Sequence, residues 1–348
     1  MAAKSNIEWT GASWTPIRAR NLRTGKVGWH CEHATTGCEF CYAEDLNKWV
    51  GTGFAFKPGH RKDIEIFLDD EMLLAPLRWK KSRKIFVCSM TDLFADFVED
   101  DWLHKIVAIM GACEDRGLGH TFQVLTKRPA RMLQWMRQHG SKAWNGGRIG
   151  PEAWPARNLW AGVSCERQQE ADERIPLLLQ TPAAVRFISA EPLLGPIDLH
   201  KMPFTSGDPR HHFDALTGQA LLYGEGINGN PDMTIRMEKP TFAKLDWVIV
   251  GGESGPHARP FHLTWAESLI DQCETAGVAC FVKQLGACAI SDGYPMHYAD
   301  RKGGDWDEWP DALRVRQFPE AEPTRVTDGS VTQPASPSHD PDKTRHES

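Results

Sequence analysis

The sequence has no hydrophobic run that approaches 18 residues, and its first residues lack the apolar core of a signal peptide. It also has no P-loop, no nucleophile elbow centred on serine and no internal sequence repeat. These absences argue against a membrane-spanning helix, a P-loop nucleotide hydrolase and a solenoid. We therefore predict a cytoplasmic protein with no membrane partner.

The chain contains nine cysteines, an odd number without a small-domain framework, which predicts reduced thiols rather than disulfides. Its 348 residues, 41% of them hydrophobic, can bury a large core in one domain or two. The formal charge of −6 is unevenly distributed, because residues 1–150 carry 22 Lys and Arg against 17 Asp and Glu. A basic N-terminal half suits an anionic ligand, although a solvated surface explains the excess equally well.

Three of the cysteines, Cys31, Cys38 and Cys41, lie close together with C-x6-C-x2-C spacing. The two-residue spacer lets the last two thiols turn toward a common point, and the glycine before them gives the loop backbone freedom. The polar residues around them do not suit a core position. Three protein ligands fit a tetranuclear iron–sulfur cluster with one open iron. They also fit a zinc ion whose fourth ligand is His30, His33 or water.

The other candidate ligands are predicted to be structural. His30 and His33 are interpreted as solvated or hydrogen-bonded side chains. Cys88 and Cys165 fall at predicted strand ends, where a thiol can approach a substrate or a second metal, but small buried hydrophobic residues are the more common case. The remaining cysteines are interpreted as structural: Cys113, Cys273, Cys280 and Cys288.

From Arg83 onward, short β-branched runs that end in polar residues alternate with amphipathic helices. A seventh strand is predicted near residues 27–30, before the cysteines, and a helix over residues 42–50 after them, with Leu46, Trp49 and Val50 on one side. This alternation predicts an α/β fold with a parallel (β/α) partial or full TIM-like barrel. The six runs are residues 84–89, 121–125, 158–163, 185–188, 245–250 and 278–282.

Polar side chains concentrate where the predicted strands end, which in β/α barrels is the side that carries the active site. Strand ends are also where solvent begins, so a single polar residue there need not be functional. As a set, these residues are predicted to line the mouth of the barrel: Ser89, Asp92, Lys127, Arg128, Ser164, Glu166, Glu191, Glu253, Lys283 and Gln284.

Two segments depart from the β/α pattern. Residues 200–240 are long, polar and rich in glycine and proline, which predicts an inserted lid or a disordered loop. Residues 319–348 have almost no aliphatic side chains and are predicted to form a disordered tail. The predicted organisation is thus one barrel domain over residues 1–318, with the insertion inside it and the tail after it.

Several stretches of the sequence match the motifs of one known family. These are residues 7–10 with 14–16, the cysteine loop with 41–44, and residues 76–81, 86–94, 123–129, 189–194 and 250–255. They resemble the phage-associated three-cysteine-motif family, which belongs with the radical S-adenosylmethionine (SAM) proteins. The resemblance extends from about residue 6 to about residue 310. Residues 17–27 and 200–240 are longer here than the family pattern.

The resemblance implies a barrel of the radical SAM type in which Cys31, Cys38 and Cys41 ligate a [4Fe–4S] cluster. The open iron would bind the amino and carboxylate groups of SAM, and the reduced cluster would cleave SAM to a 5′-deoxyadenosyl radical that abstracts hydrogen. Such an enzyme needs an electron donor as a partner. Phe40 matches the position whose backbone lies near the adenine. The usual spacing in the superfamily is C-x3-C-x2-C, so the six-residue gap is a variant.

The resemblance also implies roles for two strand ends. Residues 251–253 spell Gly-Gly-Glu, the methionine-binding element of the superfamily, but that element ordinarily follows the strand after the cluster loop. By position, the segment with Ser89 and Asp92 is the better candidate for the amino group of SAM. Glu253 is then predicted to face the substrate.

The substrate prediction rests on the charges and aromatic residues near the mouth. Lys127, Arg128 and Lys283 suit an anionic group such as phosphate. Carboxylates at the same strand ends can accept hydrogen bonds from a base or a ribose, which makes a nucleotide or nucleic acid the predicted substrate class. The carboxylates in question are Glu166, Glu191 and Glu253, and the aromatic residues that could stack a base are Trp9, Trp14, Trp29 and Phe40.

Two alternatives remain open at this point. The carboxylates at the strand ends can simply pair with the cations, while the aromatic residues pack in the core. The protein can also be a non-enzymatic, zinc-binding phage or mobile-element protein, in which the three cysteines and one histidine close a structural site.

Overall fold

Seven parallel strands form the central sheet, which curls into a half-barrel flanked by helices. The computed structural model describes residues 5–144, 154–204, 211–224, 233–236 and 243–320. Within these residues, no helix is long and apolar enough to cross a membrane.

The strands belong to four sheets. The central sheet has the order β1-β5-β6-β7-β8-β13-β15, and the smaller sheets have the orders β3-β2-β4, β12-β11-β10-β9 and β14-β16-β17. The strands are β1 Ala12–Trp14, β2 Ile17–Asn21, β3 Val27–Gly28, β4 Ile64–Leu68, β5 Lys84–Val87, β6 Thr121–Thr126, β7 Leu159–Ser164, β8 Val185–Ala190, β9 Met202–Pro203, β10 His211–Phe213, β11 Ala220–Gly224, β12 Met233–Arg236, β13 Trp247–Gly251, β14 Phe261–His262, β15 Ala279–Gln284, β16 Ala289–Ser291 and β17 Tyr294–Pro295.

Helices connect the parallel strands. Pro129 occupies the first position of its helix, where a missing N–H costs nothing. Gly277 ends the last long helix with φ of 65°, a left-handed conformation that glycine adopts without strain. The helices are α1 Tyr42–Val50, α2 Asp70–Leu73, α3 Asp100–Asp115, α4 Pro129–Trp135, α5 Ser141–Trp144, α6 Gln168–Leu179 and α7 Leu263–Ala276.

The six predicted strands from residue 84 onward are confirmed as β5, β6, β7, β8, β13 and β15. All their neighbours in the sheet are parallel. Every residue of β7 and β13 is buried, which explains why these strands appear in the sequence as continuous apolar runs. Of the two predicted forms, a partial or a full barrel, the partial barrel is confirmed. The edge strands β1 and β15 do not pair with each other in the described structure.

The prediction that the strand before the cysteines belongs to the barrel is wrong. Val27–Gly28 forms a short antiparallel pair with β2 in a small sheet. The seventh barrel strand is β1, which pairs in parallel with β5 from Ala12 opposite Ile85 to Trp14 opposite Val87. β1 has only three residues and is flanked by glycine, threonine and proline, so its sequence resembles a turn. It is a strand because β5 supplies a partner far along the chain.

The concave side of the half-barrel is apolar at one end and polar at the other. Near the N-terminal ends of the strands, Trp247 packs against Trp9, Trp160 and Phe187, with ring centroids 5.6–6.2 Å apart. These rings bury a large apolar area and fill that end of the half-barrel. Side chains alternate along a strand, so the faces that carry Trp160 and Phe187 end in Ser164 and Ser189. Ser13 in β1 and Ser89 after β5 share a hydrogen bond at the same end. The C-terminal end is therefore the polar mouth.

The inserted segment is partly described. Its strands β9 to β12 form an antiparallel four-stranded sheet, where the sequence predicts a lid or a disordered loop. Residues 205–210, 225–232 and 237–242 lie outside the described structure. So does most of the predicted tail, from residue 321 onward. Just before it, Phe318 packs on Trp247 and Phe281 at ring centroid distances of 5.3 Å.

Candidate functional site

The parallel sheet brings the predicted polar residues to a common edge, because the carboxyl ends of all its strands meet at the mouth. Most of these side chains are buried or half-buried rather than freely solvated. They are Ser89 and Asp92 after β5, Lys127 and Arg128 after β6, Ser164 and Glu166 at β7, Glu191 after β8, Glu253 after β13, and Lys283 and Gln284 at the end of β15.

The cysteine loop, residues 31–41, is fixed over this mouth from the β5 and β6 side. The Thr91 hydroxyl donates to the His30 carbonyl oxygen at 2.6 Å, and Arg128 Nη2 donates to the Glu32 carbonyl oxygen at 2.9 Å. The Glu32 carboxylate pairs with Arg61, whose Nη2 lies 2.7 Å from Oε2. These bonds hold the backbone on both sides of Cys31.

The same loop is also fixed from the β7 and β13 side. The Thr35 hydroxyl donates to Glu166 Oε1 at 3.3 Å, and Arg259 Nη1 donates to the Thr36 carbonyl oxygen at 2.9 Å. The turn that carries Cys38 is thus anchored to strands on the opposite side of the half-barrel. Together, the two sets of contacts place the loop across the mouth.

Glu166 is the most deeply buried charge of the mouth, with no solvent exposure. It pairs with Lys127 and with Arg174, whose Nη1 lies 3.1 Å from Oε2. Burial alone would raise the pKa of the Glu166 carboxyl, but the two cations hold it below its ordinary value. Gly37 packs directly on this carboxylate, because a Cβ at position 37 would lie 2.6 Å from Glu166 Cδ. Only glycine fits there without a shift of the buried ion pairs.

Asp92 is fully engaged in hydrogen bonds from the protein. Its Oδ1 accepts from the Thr126 hydroxyl at 2.6 Å and from the Phe94 amide at 2.9 Å. Its Oδ2 accepts from the Lys127 amide at 3.0 Å and from Arg128 Nη1 at 2.9 Å. The carboxylate therefore orients Arg128, which in turn holds the cysteine loop. Binding of the SAM amino group by Asp92 stays a prediction and requires the exchange of one of these bonds.

The three thiols are free and partly exposed at the mouth. Burial raises the pKa of Cys31 to about 12 against the opposing effect of Arg128, and burial also raises the pKa of Cys41 against that of Lys127. The charge of Cys41 would act on Cys31, and that of Cys38 on Cys41, so the three sulfurs are close enough to repel one another once ionised. A bound metal centre would offset both the burial of the thiolates and their mutual repulsion, since it stabilises thiolates directly.

The side chains around the cysteine loop can be compared with the needs of the two predicted metal centres. In the part of the chain that is described, no group of three or more His, Cys, Asp or Glu side chains converges on a point that could hold one metal ion. The ligands of a tetranuclear cluster attach to separate irons and need not converge in this way. The three thiols provide the ligand set that a tetranuclear cluster needs, and the zinc alternative stays open.

Both candidate histidines, His30 and His33, contact carboxylates. His30 is buried, with Nε2 3.3 Å from Glu32 Oε1, and His33 Nε2 lies 2.9 Å from Glu44 Oε2. Their interpretation as hydrogen-bonded side chains is confirmed. In both rings Nε2 is the nitrogen that contacts the carboxylate.

Ion pairs also occupy the predicted substrate residues of β8, β13 and β15. Lys283 Nζ lies 2.5 Å from Glu191 Oε1. Glu253 accepts two bonds from the Arg259 guanidinium, at 2.5 and 3.0 Å. With Lys127 on Glu166 and Arg128 on Asp92, every cation and carboxylate predicted for the substrate has an internal partner. Internal ion pairs are therefore observed, and binding of a substrate by these residues stays a prediction.

Arg259 is the site residue that sequence reasoning missed. Besides Glu253 and Thr36, its guanidinium lies over the ring of Phe40, 5.2 Å from the centroid, and His257 approaches the same ring at 5.8 Å. Arg259 therefore links the β13 end to the residue just before Cys41. The available signal was an arginine six residues after Glu253 in a loop that must face the mouth.

Comparison with known protein families identifies the family of this chain. The model of the DUF5131 family, described as a protein of unknown function, matches residues 4–331. The chain belongs to the DUF5131 family. No curated protein and no solved structure matches it. The family description assigns no activity, so the function of this member has to be argued from its site.

The aromatic residues of this DUF5131 protein are less available for stacking than the sequence predicts. Trp9 and Trp14 are buried, Trp9 among the rings of the half-barrel and Trp14 against Phe122. The Arg18 guanidinium covers the ring of Trp29 at 5.0 Å. Phe40 alone of the four predicted residues has an exposed ring at the mouth.

Cys88 and Cys165 behave as buried small residues, which confirms the interpretation preferred from the sequence. Both have almost no solvent exposure, and burial raises the pKa of both thiols. Cys88 has φ of 57°, a strained conformation for a residue with a side chain. It turns the chain from β5 toward Ser89.

Replacement of Arg259 tests whether it anchors the cysteine loop. In Arg259→Met, we expect the amides of residues 36–40 to exchange with deuterium about tenfold faster, because the loop loses a charged hydrogen bond of about 1.5 kcal/mol. Hydrogen–deuterium exchange followed by mass spectrometry measures this. Arg20→Met is the control, since Arg20 pairs with Glu65 at the surface. Unchanged exchange at 36–40 in Arg259→Met would contradict the anchoring role.

Proposed function

We propose that the protein is a radical SAM enzyme in which Cys31, Cys38 and Cys41 ligate a [4Fe–4S] cluster and SAM binds beside it. The observation that carries this proposal is the three-thiol loop hydrogen-bonded across the C-terminal end of a parallel half-barrel. In parallel β/α folds, active sites lie at that end. When bound, such a cluster supplies the electron that cleaves SAM.

The cations beside the loop support the role of the cysteines. Arg128 acts on Cys31 and Lys127 on Cys41, and each favours the thiolate over the thiol. Because Asp92 and Glu166 hold these two cations in place, their charges remain directed at the loop. The chain thus lowers the cost of ionising the thiols that bind the cluster.

Phe40 and Ser89 are the proposed contacts of SAM. The backbone of Phe40 lies in the loop next to Cys41, and its ring is exposed at the mouth. The Ser89 hydroxyl shares a hydrogen bond with the Ser13 hydroxyl, so it can reorient toward an amino group. In this proposal Asp92 acts mainly as a positioning residue through Arg128.

The shape of the half-barrel suits a reaction that has to exclude water. The aromatic rings around Trp247 fill its N-terminal end, and Gly162 allows Phe187 to pack against β7, because a Cβ there would collide with that ring. The rings therefore cover the N-terminal part of the concave face, and the cysteine loop and SAM would lie at its other end, the mouth. Restricted solvent access protects reactive intermediates.

A nucleotide or nucleic acid remains the predicted substrate class, with Glu253, Glu191 and Lys283 as candidate contacts. The ion pairs do not favour a phosphate group, since Lys283 and Arg128 are already neutralised by carboxylates. A substrate that binds there has to open one of these pairs. Neutral polar groups of a base or a ribose fit this requirement better than a phosphate chain.

Cleavage of SAM is the direct test of the proposed function. Protein purified without oxygen, reduced with dithionite and supplied with SAM is expected to form 5′-deoxyadenosine, measured by liquid chromatography. Protein that carries a cysteine replacement in the loop is expected to form none. If the wild type contains a full cluster and yet forms no 5′-deoxyadenosine, the enzymatic proposal is wrong. Colourless protein with one zinc per chain would support the structural-zinc alternative instead.

A further inference from the structure

Helix α1 begins directly after Cys41. Unlike most surface helices, it turns polar side chains toward the protein and apolar side chains toward solvent. The side chains that it buries are Ala43, Glu44 and Asn47. Asn47 Nδ2 donates to the Thr52 hydroxyl at 2.8 Å and to the Phe54 carbonyl oxygen at 2.9 Å. Because the buried polar groups are satisfied, this orientation is stable and the helix presents its apolar face outward.

The outward face of α1 is strongly exposed. Trp49 is 82% exposed, Tyr42 and Val50 are 52% exposed, and Leu46 is 38% exposed. These residues recur at helical spacing and form a stripe along two turns. Single exposed apolar residues are ordinary, but a continuous stripe that includes tryptophan is characteristic of a binding surface.

The hairpin of β2 and β3 extends this stripe. It packs against the end of α1, because Asn21 Nδ2 donates to the Thr52 carbonyl oxygen at 2.8 Å and the Trp29 amide donates to Asn47 Oδ1 at 2.9 Å. Leu22 is 61% exposed at its tip. We call α1 and this hairpin the α1 surface; its apolar members are Leu22, Val27, Tyr42, Leu46, Trp49 and Val50.

Cations form the rim of the α1 surface. Arg23 and Lys26 lie in the hairpin turn, and Lys62 lies beside it, since the Leu22 amide donates to the Asp63 carbonyl oxygen at 3.0 Å. All three are exposed, and none has a carboxylate partner among the residues that the structure describes. A second copy docked through the same surface would bring these like charges together across a two-fold axis. An acidic partner is attracted instead.

We propose that the α1 surface docks an acidic one-electron carrier protein that reduces the cluster. This inference rests on the proposed function, which requires one electron at the cysteine loop. One electron leaves the reduced flavin or iron–sulfur centre of the carrier and enters the cluster, and no bond is formed or broken. Tyr42 follows Cys41 directly, and Trp49 lies about 10 Å further along the helix axis. Carrier complexes of this kind use small surfaces.

Binding is tested first, independently of catalysis. An acidic flavodoxin and an acidic ferredoxin are titrated into the apoprotein and the cluster-loaded protein by isothermal titration calorimetry, at low and high salt. We expect at least one carrier to bind, more weakly at high salt, and Trp49→Glu to weaken the binding at least tenfold. The control is Tyr294→Glu, which changes a side chain that is 75% exposed on β17, outside the α1 surface.

Two reductants then separate docking from chemistry. Dithionite needs no docking surface, so Trp49→Glu is expected to cleave SAM as fast as wild type with dithionite but at least tenfold slower with the carrier. If wild type cleaves no SAM with dithionite, the proposed function fails while the titration still tests docking. Equal carrier binding by wild type and Trp49→Glu overturns this inference, and so does a result in which neither carrier binds. A wild-type dimer that Trp49→Glu dissociates, or an oligonucleotide that only wild type binds, would also overturn it.

Discussion

Cys38→Ser is expected to abolish retention of the iron centre. Wild-type protein purified without oxygen should be brown and contain about four irons per chain, as a tetranuclear cluster requires. Cys38 lies in the turn anchored by Thr35 and Arg259, and its loss leaves only two thiolates for the cluster. Iron and sulfide analysis together with the visible absorption spectrum measures the effect, which should exceed tenfold in iron content.

The matched control is Cys288→Ser, because Cys288 is also partly exposed but lies near β16, away from the cysteine loop. It should retain the full iron content and the wild-type spectrum. Wild-type iron content in both Cys38→Ser and Cys288→Ser would show that Cys38 is not a ligand. Loss of iron in both variants would indicate a general effect of cysteine replacement on stability.

Glu166→Gln is expected to destabilise the protein by about 3 kcal/mol, because it leaves the half-buried Lys127 and the buried Arg174 without their carboxylate. The thermal midpoint should fall by about 4 °C, since the unfolding entropy of a chain of 348 residues is large. Measurement on protein prepared without iron separates this effect from cluster loss. The control is Glu65→Gln at an exposed ion pair, which should cost less than about 1 kcal/mol. Equal losses in the two variants would contradict the role assigned to Glu166.

The same carboxylate predicts a pH dependence. The pKa of Glu166 is below its ordinary value of 4.5 in the folded protein. Its contribution to stability is therefore present above that value and is lost as the pH falls through the lower folded pKa. Urea unfolding of wild type and Glu166→Gln at about pH 7 and about pH 3.5 should show a smaller difference in the free energy of unfolding at the acidic pH. If the difference in the free energy of unfolding does not change with pH, ionisation of Glu166 is not its source.

The buried strands of the half-barrel were predictable because a parallel strand covered on both faces is a continuous apolar run. β7 and β13 have this property at every position. The mouth followed from the same reasoning, since polar residues such as Lys127 and Glu166 mark where the runs end. Which of these charged residues pair with each other could not be predicted from the sequence. Charge order along the chain does not specify which carboxylate meets which cation across the sheet.

Features that depend on distant partners were missed. β1 is a strand through its pairing with β5, and Arg259 reaches Thr36 although 223 residues separate them in the sequence. The helical spacing of α1 was correct, but its orientation was not predictable. Leu46 and Trp49 resemble a core-facing stripe, whereas the core here accepts Glu44 and Asn47 because Thr52 and neighbouring backbone groups satisfy Asn47.

Mössbauer spectroscopy of protein reconstituted with ⁵⁷Fe tests the central claim most directly. Three cysteine ligands leave one iron of a [4Fe–4S] cluster open, so addition of SAM should change the signal of about one iron in four and leave the other three unchanged. This result would support both the ligand set Cys31, Cys38 and Cys41 and the binding of SAM at the mouth. A spectrum without a tetranuclear cluster, or one that SAM does not alter, would contradict the account.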